Sequence, residues 1–201
     1  MKRRSATELI EMLNTTDEVE QIAAKDCRRG SPGKAVLKTV SAFSNEPGLG
    51  GGFIVFGVER NSEMKYEVVG VSDPDRLQRE FTSNCSSVFN ERVRPVVWVN
   101  PVGLKNVVVA QIPEMDPPGK PVFIEATGLP KGAYRRIGST DQRCTLDDIE
   151  ELMALRRAEK FDMTVFSDVE LDEIDSDALD AYRSAVREYN PRTEVLQYND
   201  L

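Results

Sequence analysis

The 201-residue sequence predicts a domain that mixes amphipathic helices with short strands. Two patterns carry that reading. Val36, Leu37, Val40 and Phe43 recur at helical spacing, as a stripe facing a core would. PVVWVNPV (95–102) and NVVVAQI (106–112) are apolar runs of strand length joined by a glycine-containing turn, the signature of a hairpin. A hydrophobic content of 40% beside 30% charged residues fits a soluble, globular chain.

The elements follow in order. Residues 5–13 read as a short helix, with Ser5 and Glu8 spaced as a capping box. DEVEQIAAKD (17–26) reads as a strand with Ile22 and Ala24 on one side and Gln21, Ala23 and Lys25 on the other. A second helix starts after RRGSPG, with Ser31 as N-cap and Pro32 in its first turn. It ends at Asn45-Glu46-Pro47-Gly48 and carries Lys34, Lys38, Ser41 and Asn45 on a face apart from the apolar stripe. FIVFGV (53–58) and YEVVGV (66–71) read as strands, and 74–89 as a helix. PVFIEA (121–126) and GAYRRIG (132–138) could add two strands. The helix over 145–160 has Thr145 as N-cap, acids in its first turn and bases in its last.

From residue 160 the character changes. Residues 160–201 hold eleven acids against four bases, whereas 1–159 are almost balanced, so most of the net charge of −8 belongs to the tail. That tail reads as an acidic linker and a helix with Leu179, Tyr182 and Val186 on one side. We read it as the start of a following domain, with a C-terminal helix docked on the body as the alternative. A near-neutral body leaves room for a phosphate-binding patch.

The chain has no histidine, which removes the commonest general base and the commonest metal ligand. The three cysteines, Cys27, Cys85 and Cys144, are far apart and odd in number, which argues against a disulfide framework and for a reducing cytoplasm. No apolar run reaches the roughly 18 residues of a membrane span, and no secretory leader is visible, so no membrane partner is expected.

The glycines of GLGGGF (48–53) sit between a helix and a strand. A phosphate cradle of the P-loop kind runs strand, glycines, helix, because the helix N-terminus supplies the free N–H groups. Here the order is reversed, so no nucleotide cofactor is expected. The glycines are read as a turn that lets the backbone pass close to another element and brings the strand ending at Glu59 beside the strand carrying Lys25.

Several segments together resemble the Schlafen-type AlbA-like domain. They are DEVEQIAAKD, GKAVLKTVSAFSNEPGLGGGFIVFGVE, VVGVSDPDRLQ and KPVFIEATGLPKGAYRRIGSTDQ, over roughly residues 15–158. The resemblance implies an α+β fold, a small, mostly antiparallel sheet with packed helices. It implies a nucleic-acid-binding domain, and in active members a metal-dependent endoribonuclease with three acidic ligands for Mg²⁺ or Mn²⁺. It also hints at bacterial defence.

Carried over residue by residue, Glu18 matches the first acid, Lys25 the lysine and Glu59 the third acid. The second acid falls at Ala23, which cannot hold a metal. Three readings stay open: a substituted residue, a member that binds without cutting, or Glu20 standing in. Lys34, Lys38, Arg135, Arg136 and Ser139 are the candidate nucleic-acid contacts, Arg136 standing at the family's arginine. The resemblance favours RNA over DNA as partner. The rival readings are a non-catalytic DNA- or RNA-binding module of a regulator or helicase-like protein, and an interaction domain that forms a homodimer.

Overall fold

The computed structural model describes residues 3–15, 20–28, 33–162 and 176–189. The expected caps Ser31 and Pro32 lie outside the described residues. The chain divides into two compact units, Met1–Phe161 and Asp162–Leu201.

In the first unit a four-stranded sheet has the order β1-β2-β6-β5. β1 is Ile22–Lys25, β2 Gly52–Phe56, β5 Val96–Val102 and β6 Lys105–Ile112. β1 and β2 run parallel, with α2 (Lys34–Asn45) as the crossover, and the other two pairings are antiparallel. All five residues of β2 are buried, because both sheet faces are covered. Ile54 and Phe56 point into a cluster with Val36, Val40 and Phe43 of α2 and with Leu77, Phe81 and Cys85 of α3 (Pro74–Ser87). Phe53 and Val55 point the other way, into a cluster with Ala6 and Leu9 of α1 (Ala6–Thr15). The result is an α+β fold.

Local chemistry sets the helix starts. Glu8 and Ser5 exchange hydrogen bonds in the expected capping box, the Ser5 N–H donating to Glu8 Oε2 at 2.9 Å. Thr145 and Asp148 do the same ahead of α4 (Leu146–Asp162). Asp73 caps α3 by accepting from the Arg76 N–H at 2.9 Å. α2 begins after Gly33, which offers no side-chain cap.

The face of α2 that carries Lys34 and Lys38 does not stay in solvent. Both lysines are exposed, but Ser41 and Asn45 are fully buried. The Asn45 amide donates to the carbonyls of Val122 (2.8 Å) and Tyr134 (3.0 Å) and accepts from the Val122 N–H at 2.7 Å. It therefore ties the PVFIEA segment to α2 in place of a strand ladder. That segment makes only single bridges, Phe123 to Ala133 and Ile124 to Phe89, and not the expected strand.

Two small hairpins flank the sheet. β3 (Val58–Arg60) pairs with β4 (Tyr66–Val68), and β7 (Tyr134–Ile137) pairs with β8 (Thr140–Arg143). Gly57, at φ +87°, separates β2 from β3. The Asn14 side chain of α1 holds β4 by bonding both the Tyr66 N–H and its carbonyl.

The glycine loop does bind an anion, and the anion is internal. The N–H groups of Gly48 and Gly50 donate to the Glu114 carboxylate at 3.1 and 2.7 Å. The buried Lys120 ammonium donates to the same carboxylate at 2.7 Å. Gly51, at φ +83°, passes so close to β6 that a Cβ there would lie 2.1 Å from the Ile112 carbonyl oxygen. The loop thereby seats β2 between β1 and β6.

In the second unit α5 spans Ser176–Tyr189, with Tyr182 55% exposed. Among the described residues no helix is long and apolar enough to cross a membrane, and the three cysteines are buried and form no disulfide.

Candidate functional site

β1 is an edge strand of the four-stranded sheet. The Gln21 and Lys25 carbonyls accept from β2, at the N–H groups of Phe53 (2.7 Å) and Gly57 (2.9 Å). Strand alternation then turns the backbone groups of Ile22 and Ala24 toward the open side. The guanidinium of Arg136 closes part of that side. Its Nε donates to the Glu20 carbonyl at 2.9 Å, its Nη2 to the Ile22 carbonyl at 3.1 Å and its Nη1 to Asp141 Oδ1 at 2.7 Å. It also lies 5.1 Å from the centre of the Phe43 ring. Asp141 accepts from Thr39 Oγ1 at 2.5 Å, so one ion pair links α2, β1 and the β7–β8 hairpin.

Beside this clamp lies a cavity of about 190 Å³. Lys25, Arg60, Arg136, Ser139, Asp141 and Tyr66 contribute its polar and aromatic lining, and Ile22, Ala23 and Ala24 form the strand wall. Three cations thus face one acid, and that acid is already held by Arg136 and Thr39. The Lys25 ammonium makes no hydrogen bond or salt bridge among the described residues. Burial pushes its ammonium below the usual lysine range, with Asp141 pulling it back up and Arg136 pushing it further down. A desolvated ammonium without a direct ion pair is costly, and an anion in the cavity would relieve that cost.

Arg60 and Tyr66 stand opposite each other in β3 and β4. The Arg60 guanidinium lies 5.1 Å from the Tyr66 ring centre, and its Nε donates to the Met64 carbonyl at 3.2 Å.

The candidates from the sequence divide. Lys25, Arg136, Ser139 and Ala23 meet at the cavity. Ala23 also packs in the apolar cluster with Val36 and Val40, at 7% exposure. Glu18 lies outside the described residues. Glu59 alternates with Arg60 on β3 and pairs with Arg28, so it is not in the cavity lining. Lys34 and Lys38 are exposed on α2, with Lys38 Nζ 5.6 Å from the Tyr134 ring centre.

Arg135, by contrast, is held by Glu46 (2.8 Å), Asp148 (3.1 Å) and Glu151 (2.6 Å); its pKa is raised against the effect of burial, by the Glu46 hydrogen bond most and by Glu151 after it. Its charge is already met, so it serves to join α4 to the α2 end. Arg60, Tyr66 and Asp141 were not among the sequence candidates. Asp141 stands in the quoted GSTDQ stretch, and strand alternation next to Glu59 would have marked Arg60.

A divalent cation such as Mg²⁺ needs several oxygen ligands. Among the described residues no group of three or more histidine, cysteine or acidic side chains is arranged to hold a metal. With an alanine at 23 and Glu59 turned toward Arg28, the described residues do not fit the three-acid site.

The family model described as Schlafen, AlbA_2 matches residues 6–145. The solution structure of the N-terminal domain of a RecG-related protein from Nitrosomonas europaea is similar at 47% identity, over 72% of this chain and 95% of that one, with a TM-score of 0.58. A crystal structure of the DIP2311 protein from Corynebacterium diphtheriae aligns over 92% of this chain and 38% of that one, at 17% identity and a TM-score of 0.48. No curated protein matches.

Proposed function

Because this chain belongs to the Schlafen AlbA_2 family, we propose that its first unit binds nucleic acid through the cavity at the edge of β1. The observation that carries the reading is the Lys25 ammonium, recessed beside Arg136 and Arg60 and making no direct ion pair with a described residue. A backbone phosphate supplies the missing charge. Arg136, fixed by its carbonyl and Asp141 contacts, adds a second positive charge to the cavity wall beside Lys25. Ser139, exposed at the cavity rim, adds a hydroxyl, and Lys34 and Lys38 extend a positive face along α2. RNA is favoured over DNA on the family resemblance. The similar domain from a RecG-related protein, whose name refers to ATP-dependent DNA helicases, supports a binding module within a larger machine.

The second reading is metal-dependent cleavage, with Glu18 and Glu59 as ligands. What favours it is the family resemblance at Glu18 and Glu59; the alanine at 23, on the cavity wall where the family has an acid, counts against it. No catalytic step is assigned, because the described carboxylates do not converge.

The test is fluorescence anisotropy of labelled RNA and DNA against the full chain over a salt series. Salt-sensitive binding that Lys25→Met weakens severalfold is expected. No binding at low salt, or binding indifferent to Lys25, overturns the reading. Incubation of the chain and of Ala23→Glu with Mg²⁺ or Mn²⁺ separates the second reading: strand scission by either form moves it ahead of simple binding.

A further inference from the structure

We infer that the cavity receives an unpaired nucleotide, its phosphate at Lys25 beside the buried Arg136 and its base stacked on the guanidinium of Arg60. This rests on the proposed nucleic-acid binding and adds the class of strand.

Three observations carry it. The first is size. About 190 Å³ is below the range of pockets that enclose a drug-sized ligand. A recess of that size takes one splayed-out unit, whereas a duplex keeps its bases stacked inside.

The second is the construction of Arg60. Its side chain is exposed, yet it is not free to roam. Its Cζ lies over the Tyr66 ring, 5.1 Å from the ring centre, and the bond from Nε to the Met64 carbonyl at 3.2 Å sets its rotation. Tyr66 is in turn anchored through its backbone by Asn14. A planar cation backed on one side presents its other face, and unpaired bases stack on such arginine planes. Salt bridges among the described residues do not include Arg60, so no carboxylate competes for it.

The third is division of labour. Lys25 is an ammonium at the recessed end and Arg60 a plane at the exposed rim, both lining one cavity. A phosphate needs the first and a base the second. Aromatic or guanidinium stacking beside a basic groove is how single strands are held without sequence preference. Tyr66 acts as a positioning residue, through Arg60.

The experiment compares labelled single strands, blunt duplexes and base-free strands of one length, each as DNA and, for the first two, as RNA. Against the full chain, single strands of either sugar should bind about tenfold more tightly than duplex or base-free strand. Arg60→Lys keeps the charge but removes the plane. It should erase that preference, bringing single-strand affinity down to that of the duplex. Tyr66→Phe keeps the ring and should retain the preference. If duplex and single strand bind equally but Lys25→Met weakens both, this inference falls and the binding reading stands. If Arg60→Lys discriminates as the parent does, the stacking role falls. If no oligonucleotide binds, both readings fall together.

Discussion

The Arg136 guanidinium reaches across the open edge of β1 to the Ile22 carbonyl at 3.1 Å. Strand β7 thereby completes a sheet edge with which it shares no ladder. It blunts that edge against further strand addition, and it holds a cation at the cavity that β1 lines.

Removing this guanidinium should cost stability as well as binding. Arg136→Ala leaves Asp141, with only 14% side-chain exposure, facing Thr39 without its cation. We expect a loss of about 3–5 kcal/mol in urea denaturation. Arg136→Lys should recover only part of it, because one ammonium cannot serve two carbonyls and a carboxylate in a fixed plane. An unchanged midpoint for Arg136→Ala would show that the clamp is idle.

Lys25 makes both stability and binding depend on pH. Burial is the main cause of its lowered pKa, Asp141 opposing and Arg136 reinforcing it. The unfolded chain keeps this proton up to about 10.5, while the folded chain releases it earlier. Between the lowered value and 10.5 the unfolded state holds more protons, so this group makes stability rise with pH across that window. A bound phosphate favours the charged ammonium and raises its pKa. Affinity should therefore be highest below the lowered value and decline as pH rises through it, with proton uptake on binding. Lys25→Met should remove that component of both pH profiles, as calorimetry in buffers of different ionisation enthalpy would show.

The glycine loop depends on Glu114. Burial alone would raise its carboxyl, but the hydrogen bonds from Lys120, Gly50 and Gly48 outweigh it and hold the pKa below the usual range. Its contribution is present above the ordinary glutamate value and is lost as pH falls through the depressed one. Glu114→Gln should cost about 3 kcal/mol, since it strands the buried Lys120 ammonium. Lys120→Met in the same chain should return much of that loss. If the single and double variants melt alike, the pair is not coupled.

Gly51→Ala is expected to be among the harsher small changes in the domain. The residue sits at φ +83°, and the added carbon would meet the Ile112 carbonyl oxygen at 2.1 Å. A destabilisation of at least about 2 kcal/mol follows. Gly48→Ala, with the same sign of φ but open space around it, should cost less. Equal midpoints for the two would contradict close passage at β6.

Much of the frame was legible in the sequence because it is local. The capping box at Ser5 and the N-cap at Thr145 need only neighbours three residues away. The buried run of β2 and the β5–β6 hairpin follow from apolar spacing and a turn. Local pattern alone could not separate Arg135 from Arg136; only the family resemblance marked Arg136. They are consecutive on β7, so they leave it on opposite sides, and only packing decides which side holds Glu46, Asp148 and Glu151 and which holds the edge of β1. Nor could it turn Glu59 toward Arg28 and Arg60 toward the cavity, since strand register is set by pairing across β3 and β4. Local periodicity determined the elements. The meeting of Lys25, Arg60 and Arg136 came from tertiary structure, because charges distant in the chain converge only where buried faces and sheet order bring their strands together.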